Sequence, residues 1–157
     1  MRVKLGFLEV RTIGTEDKET LARWAEKLRP QWGDNALDQL MCAEHRIGAY
    51  LPDEKYPVGF AGITPDGGPN DLDRGAMWFD FLYVEPRHRG RRLQEVLYDH
   101  GQIPYAKGHS GRRILRIPLS PAVVKFSTAR GWKKVRDLPD TSYINGVYEL
   151  PRDRLPA

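Results

Sequence analysis

Residues Phe79 to Leu93, FDFLYVEPRHRGRRL, constrain the fold more than any other stretch of the chain. An apolar run with strand composition ends at Pro86, then Arg87, His88, Arg89, Arg91 and Arg92 follow, and an amphipathic helix begins among them. Proline pushes the residue before it into extended backbone, which gives the strand a defined stop. A strand that delivers backbone amides to a helix start beside guanidinium groups builds a site for a phosphorylated ligand. The competing reading of the same arginines is a solvated basic surface.

With 157 residues the chain suits one core and is short for two, so a single domain spanning 1–157 is expected. Hydrophobic residues at 40%, with aromatics spread throughout, exclude a disordered chain. Charge divides unevenly: residues 1–84 hold 10 Lys and Arg against 14 Asp and Glu, a balance of −4, and residues 85–157 hold 15 against 7, a balance of +8. The basic second half points to an anionic ligand, a nucleic acid or an acidic partner. Nucleic acid ranks last, because the arginines sit at a helix start and are not interleaved with aromatics. Cys42 is the only cysteine, which excludes an internal disulfide and reads as a small core filler. No apolar run reaches the roughly 20 residues of a membrane span, and the N-terminal run is too short for a signal peptide, so a cytoplasmic protein is expected.

Phe7 to Ile13 has strand composition. Leu21, Trp24, Ala25 and Leu28 recur at helical spacing after an acidic turn, and Pro30 is expected to stop that helix after Arg29. A second helix is expected over Asp34 to Glu44 with Leu37, Leu40 and Met41 on one stripe, then a hairpin of Arg46–Leu51 and Pro57–Ile63. Thr64 to Gly75 reads as a long loop before a strand over Ala76 to Val84. Beyond Pro86 a helix is expected from about Arg89, kinked or stopped near Gly101 and Pro104. Arg113–Leu119 reads as a strand, Ser120-Pro121 opens a helix that Gly131 closes, and Trp132–Val135 and Ser142–Leu150 are the last strands, with an exposed edge near Tyr143 to Leu150. The fold class is α/β in the mixed, α+β sense: a mostly antiparallel sheet of about six to seven strands flanked by about four helices.

Val84-Glu85-Pro86 running into Arg89-Gly90, with a later Phe126 followed by Gly131-Trp132, resembles the GCN5-related N-acetyltransferases, the GNAT family, over about Phe7 to Leu150. The resemblance implies acetyl-coenzyme A as cofactor, or another acyl-CoA, and an amine as acceptor. It places the pyrophosphate on the loop and helix start Arg89-Gly90-Arg91-Arg92-Leu93-Gln94, and the pantetheine arm on the backbone of Leu82 and Val84 and on Ser120. Two positions depart from the family pattern: Arg92 stands where Gly is preferred and Gln94 where Gly or Ala is preferred. Arg92 either swings outward and adds a bond to a phosphate or fills the space the pyrophosphate needs.

Asp80, four residues before Val84, matches the strand position that carries the base in some relatives, and its neighbours Phe79 and Phe81 are expected to make its surroundings apolar and raise its pKa. A buried Asp bonded to backbone explains it equally. The general acid of the family is a tyrosine at the position held here by Ser127, a weaker acid with a shorter reach. Ser120 is also explained as a helix cap. The four histidines lack metal-ligand spacing and no metal site is expected. Two functions follow: acyl transfer from CoA to an amine, or a catalytically inactive GNAT-fold protein that binds a protein partner in an assembly, such as a phage virion or assembly component. The acceptor surface in the family lies on the first two helices and the late strands, here Asp17–Glu44 and Asp137–Tyr148, where acidic residues lean toward a cationic amine.

Overall fold

The computed structural model describes residues 1–65, 73, 75–138 and 146–156. Most of the expected Thr64–Gly75 loop, and the part of the last expected strand before Gly146, lie outside the described residues.

Among the described residues one eight-stranded sheet organises the fold, in the order β1-β2-β3-β4-β5-β6-β8-β7. Its strands are β1 (Arg2–Leu5), β2 (Leu8–Thr12), β3 (His45–Tyr50), β4 (Gly59–Thr64), β5 (Met77–Val84), β6 (Ile114–Arg116), β7 (Lys133–Arg136) and β8 (Val147–Glu149). Every neighbouring pair is antiparallel except β5 and β6, which run parallel and pair only at Met77–Ile114 and Trp78–Leu115. Beyond Trp78 the two strands part. The expected strand over Phe7–Ile13 is one arm of a β1–β2 hairpin turning at Gly6-Phe7, with Phe7 exposed at its tip. The edge strands are β1 and β7, and β8 is interior, so the exposed edge lies at Lys133–Arg136 rather than near Tyr148–Leu150.

Helix α1 (Lys18–Trp32) is capped by the Asp17 carboxylate, which accepts from the Thr20 amide, and it closes at Gly33, where φ is 69°. It runs through Pro30 instead of stopping there. Proline in a helix removes one backbone bond, and Trp32 offsets this by docking its ring 4.8 Å from that of Phe81, beyond the break. Helix α2 (Ala36–Cys42) follows a short 3₁₀ turn. Its buried side is Ala36 and Leu40; Leu37 faces outward and Cys42 is exposed, so neither fills the core.

The helix after Pro86 is continuous but irregular: α3 (Leu93–Leu97), a π-turn over Tyr98–Gln102, and α4 (Ile103–Lys107). The Ile103 amide donates to the Tyr98 carbonyl, the five-residue spacing of a π-turn. This turn absorbs the expected break, since Pro104, which has no N–H to give, enters at the start of α4. Gly101 is required there: a Cβ would lie 1.9 Å from Ile47 Cδ1. Ser120 caps α5 (Pro121–Ala129) by accepting from the Val123 amide at 3.2 Å, with Pro121 in the first turn as expected.

Among the described residues, buried clusters cover both faces of the sheet. Leu21, Trp24, Leu28 and Leu40 of α1 and α2 pack on Phe60 and Phe81, whereas Leu93, Leu97, Tyr98 and Ile103 pack on Ile47, Ala61, Ile63 and Phe79. Among the described residues no helix is long and apolar enough to cross a membrane.

Candidate functional site

The site begins with a flaw in β5. Phe60 pairs with Tyr83 and Gly62 with Asp80, so the single residue Ala61 opposes both Phe81 and Leu82, and the extra residue forms a β-bulge. Phe81 takes φ of 60°, a left-handed conformation disfavoured for a bulky side chain. The bulge sends Phe79 and Phe81 to opposite cores, although residues two apart on a regular strand share a face. Asp80 is therefore not flanked by two phenylalanines on one face. Its Oδ1 accepts from the Phe81 amide at 2.9 Å, and it is half-buried. Trp24 Nε1 donates to the Phe81 carbonyl at 3.1 Å.

Where β5 and β6 part, a cleft of about 750 Å3 opens between Leu82–Val84 on one side, Ser120, Val123 and Phe126 of α5 on the other, and the turn from His88 to Glu95 at its end. Of the residues expected to hold a cofactor, Leu82, Val84, Arg89, Gly90, Arg92, Leu93, Gln94 and Ser120 line this cleft together. Arg91 is exposed and does not line it.

Within the turn, Arg89 Nε donates to the Val84 carbonyl at 2.9 Å, and its guanidinium lies 5.7 Å from the Tyr83 ring centre. Between Pro86 and Leu93 the two positions with left-handed backbone are Gly90, φ 82°, and Arg92, φ 62°. Arg92 thus adopts the backbone that glycine takes freely. Its side chain is 84% exposed, with Nε 3.8 Å from Glu95, and it lines the cleft. Gln94 also lines the cleft, while its Nε2 is buried without a hydrogen-bond partner among the described residues. A buried amide donor without an acceptor is costly unless something supplies one.

A smaller cavity of about 150 Å3 adjoins the cleft, sharing Gln31, Leu82 and Val123 with it, and it is lined further by Asp80 and Arg116. Arg116 was not singled out from the sequence. It is 4% exposed, its Nη1 donates to Ser127 Oγ at 3.1 Å, and its guanidinium lies 5.3 Å from the Trp132 ring centre. Burial lowers its pKa to about 10, and the neighbouring Tyr98 and Asp80 oppose that shift. Ser127 is fully buried beneath it. The signal for Arg116 was present: a charged residue between Leu115 and Ile117 is as anomalous in an apolar strand as Asp80 between two phenylalanines.

The surrounding side chains brace both cavities. Trp132 Nε1 donates to the Tyr98 hydroxyl at 2.8 Å, and burial raises the Tyr98 pKa. Arg130 pairs with Glu95 at 3.2 Å and lies 3.8 Å above Phe126.

The architecture is shared with solved structures. An acetyltransferase of the GNAT family from Staphylococcus aureus Mu50 superposes with a TM-score of 0.64 at 14% identity, covering 92% of this chain and 99% of that one. A GNAT-family N-acetyltransferase from Escherichia coli, solved in complex with CoA, gives 0.63 at 18% identity over 99% and 88% of the two chains. An aminoglycoside 6'-N-acetyltransferase complexed with coenzyme A gives 0.63 at 15% identity over 89% and 93%. No protein-family model matches the chain, and no curated protein matches it in sequence. At these identities the likeness is one of fold.

Proposed function

From a chain with the GNAT acetyltransferase fold and an open cleft beside the β5 bulge, we propose an N-acetyltransferase that moves an acetyl or similar short acyl group from coenzyme A to an amine. The observation that carries this reading is the cleft itself: it opens where β5 and β6 separate, and the backbone strand Leu82–Val84, the turn with Arg89, Gly90 and Arg92, and Ser120 line it together. Neighbours of this fold are solved with CoA bound, which supports the same ligand class here.

The residues present fit that ligand. The turn Arg89–Gln94 would hold the pyrophosphate, with Arg89 and Arg92 supplying positive charge. Gly90 leaves room for close backbone approach, since nothing lies within 4 Å of where its Cβ would be. The backbone of Leu82 and Val84 would bond the pantetheine arm as an added strand does, Leu93 closes the apolar floor, and Ser120 lines the opposite wall. When bound, acetyl-coenzyme A would supply an activated thioester whose carbon–sulfur bond breaks as the amide carbon–nitrogen bond forms, with one proton of the acceptor ammonium going to a base and the other to the departing thiolate.

Asp80 is read as the base: it lines the small cavity beside the cleft and would take the proton that the acceptor amine loses. Its hydrogen bond from the Phe81 amide orients the carboxylate. Ser127 is read as the support of Arg116 and not as the acid, because its hydroxyl is fully buried and occupied by the Arg116 guanidinium.

Calorimetric titration of the protein with acetyl-CoA tests the reading. Saturable binding that is lost in Arg89→Glu is expected; absence of binding at millimolar ligand overturns it and leaves the fold as a scaffold for a protein partner.

A further inference from the structure

We propose that the cavity between Asp80 and Arg116 is the acceptor site and that it takes an α-amino acid with a free carboxylate and an apolar side chain. This rests on the acyl-transfer reading above. The cavity holds one acidic and one basic side chain among apolar walls made by Phe79, Leu82, Ile117 and Val123. Its volume, about 150 Å3, is that of a cavity able to hold a benzene-sized apolar group.

Charge decides among the ligand classes. A buried charge without compensation is strongly disfavoured. A simple diamine would bring a second cation beside Arg116, and a carboxylated acyl group would bring a second anion beside Asp80. A zwitterion matches both: its ammonium faces Asp80 and its carboxylate meets the guanidinium, which is built for planar carboxylates. Arg116 donates to the Ser127 hydroxyl, lies against the Trp132 ring and has the Asp80 carboxylate near enough to favour its charged form, so it stays protonated at neutral pH.

The position is also right for transfer. Gln31, Leu82 and Val123 line both cavities, so an amine at Asp80 sits where the smaller cavity meets the cleft. The ammonium gives one proton to Asp80, the amine nitrogen so formed bonds the acyl carbon, the carbon–sulfur bond breaks, and the second nitrogen proton passes to the departing thiolate, so the products are the N-acyl amino acid and the free thiol.

Binding of L-leucine, L-leucinamide and putrescine to the wild-type protein, measured by calorimetry without any acyl donor, tests the pocket. L-leucine is expected to bind on the order of ten- to a hundredfold more tightly than L-leucinamide, the worth of hydrogen bonds to a charged group. Equal or tighter binding of L-leucinamide or putrescine overturns the proposal, as does no binding of L-leucine at millimolar concentration. Arg116→Met, checked for folding by circular dichroism, is expected to erase the preference for the free acid. The wild-type comparison stands without that variant. Acetyl-CoA binding, titrated separately, answers for the acyl-transfer reading, so failure of one is not mistaken for failure of the other.

Discussion

The indole Nε1 of Trp24 donates a 3.1 Å hydrogen bond to the carbonyl of Phe81, which fastens α1 to the β5 bulge. A bulged residue leaves the sheet ladder, so its carbonyl needs a partner from elsewhere. Trp24→Phe keeps an aromatic ring and removes the donor. It is expected to destabilise the fold by about 1–3 kcal/mol, the penalty of an unpaired buried acceptor, as read from urea unfolding with an unchanged slope.

Arg92 holds a left-handed backbone at φ 62° with a largely exposed side chain. Arg92→Gly removes the conformational penalty and is expected to stabilise the protein by about 1 kcal/mol, raising Tm by about 2–4 °C for a chain of this size. Arg92→Ala removes the same charge but keeps a Cβ, and should give no such gain.

Asp80→Asn preserves the acceptor oxygen for the Phe81 amide and removes the base. The expected result is a fall in kcat on the order of 10²–10⁴-fold, with calorimetric affinity for acetyl-CoA unchanged. Wild-type turnover in this variant would remove Asp80 from the chemistry.

His45 stacks on Tyr105 with ring centres 4.4 Å apart, and burial lowers its pKa to about 4 from 6.5. The unfolded chain therefore takes up a proton that the folded chain refuses. Stability is full above pH 6.5 and declines as pH falls toward 4, with a slope of at most about 1.4 kcal/mol per pH unit from this group. His45→Phe keeps the stack and is expected to flatten that part of the profile, measured as urea midpoint against pH.

The order of elements from β2 to α5 was legible because Pro86, Ser120-Pro121 and Gly131 punctuate strong periodic runs. The three-residue strands β6 and β8 are shorter than any pattern can define, so only their neighbourhoods were visible. Pro30 misled because tertiary docking of Trp32 outweighed a local rule. At the site, the turn after Pro86 was visible in composition, but the bulge that divides Phe79 from Phe81 was not, since backbone sign inversions leave no residue-type trace at a phenylalanine or an arginine. Arg116 is a charge within an apolar strand, but it stands among the many arginines of the basic half, which blunts that signal.

Only two residue pairs join β5 to β6, so the sheet behaves as two leaves sharing a short seam. Past that seam, what spans the gap is a ring-to-ring bridge, Phe79 against Trp132 at 5.5 Å and Tyr98 against Phe126 at 5.3 Å. The opening is thus held by aromatic spacers together with the Trp132–Tyr98 hydrogen bond and the Arg130–Glu95 pair, and trimming one of those rings would loosen the gap while leaving each leaf's own ladder untouched.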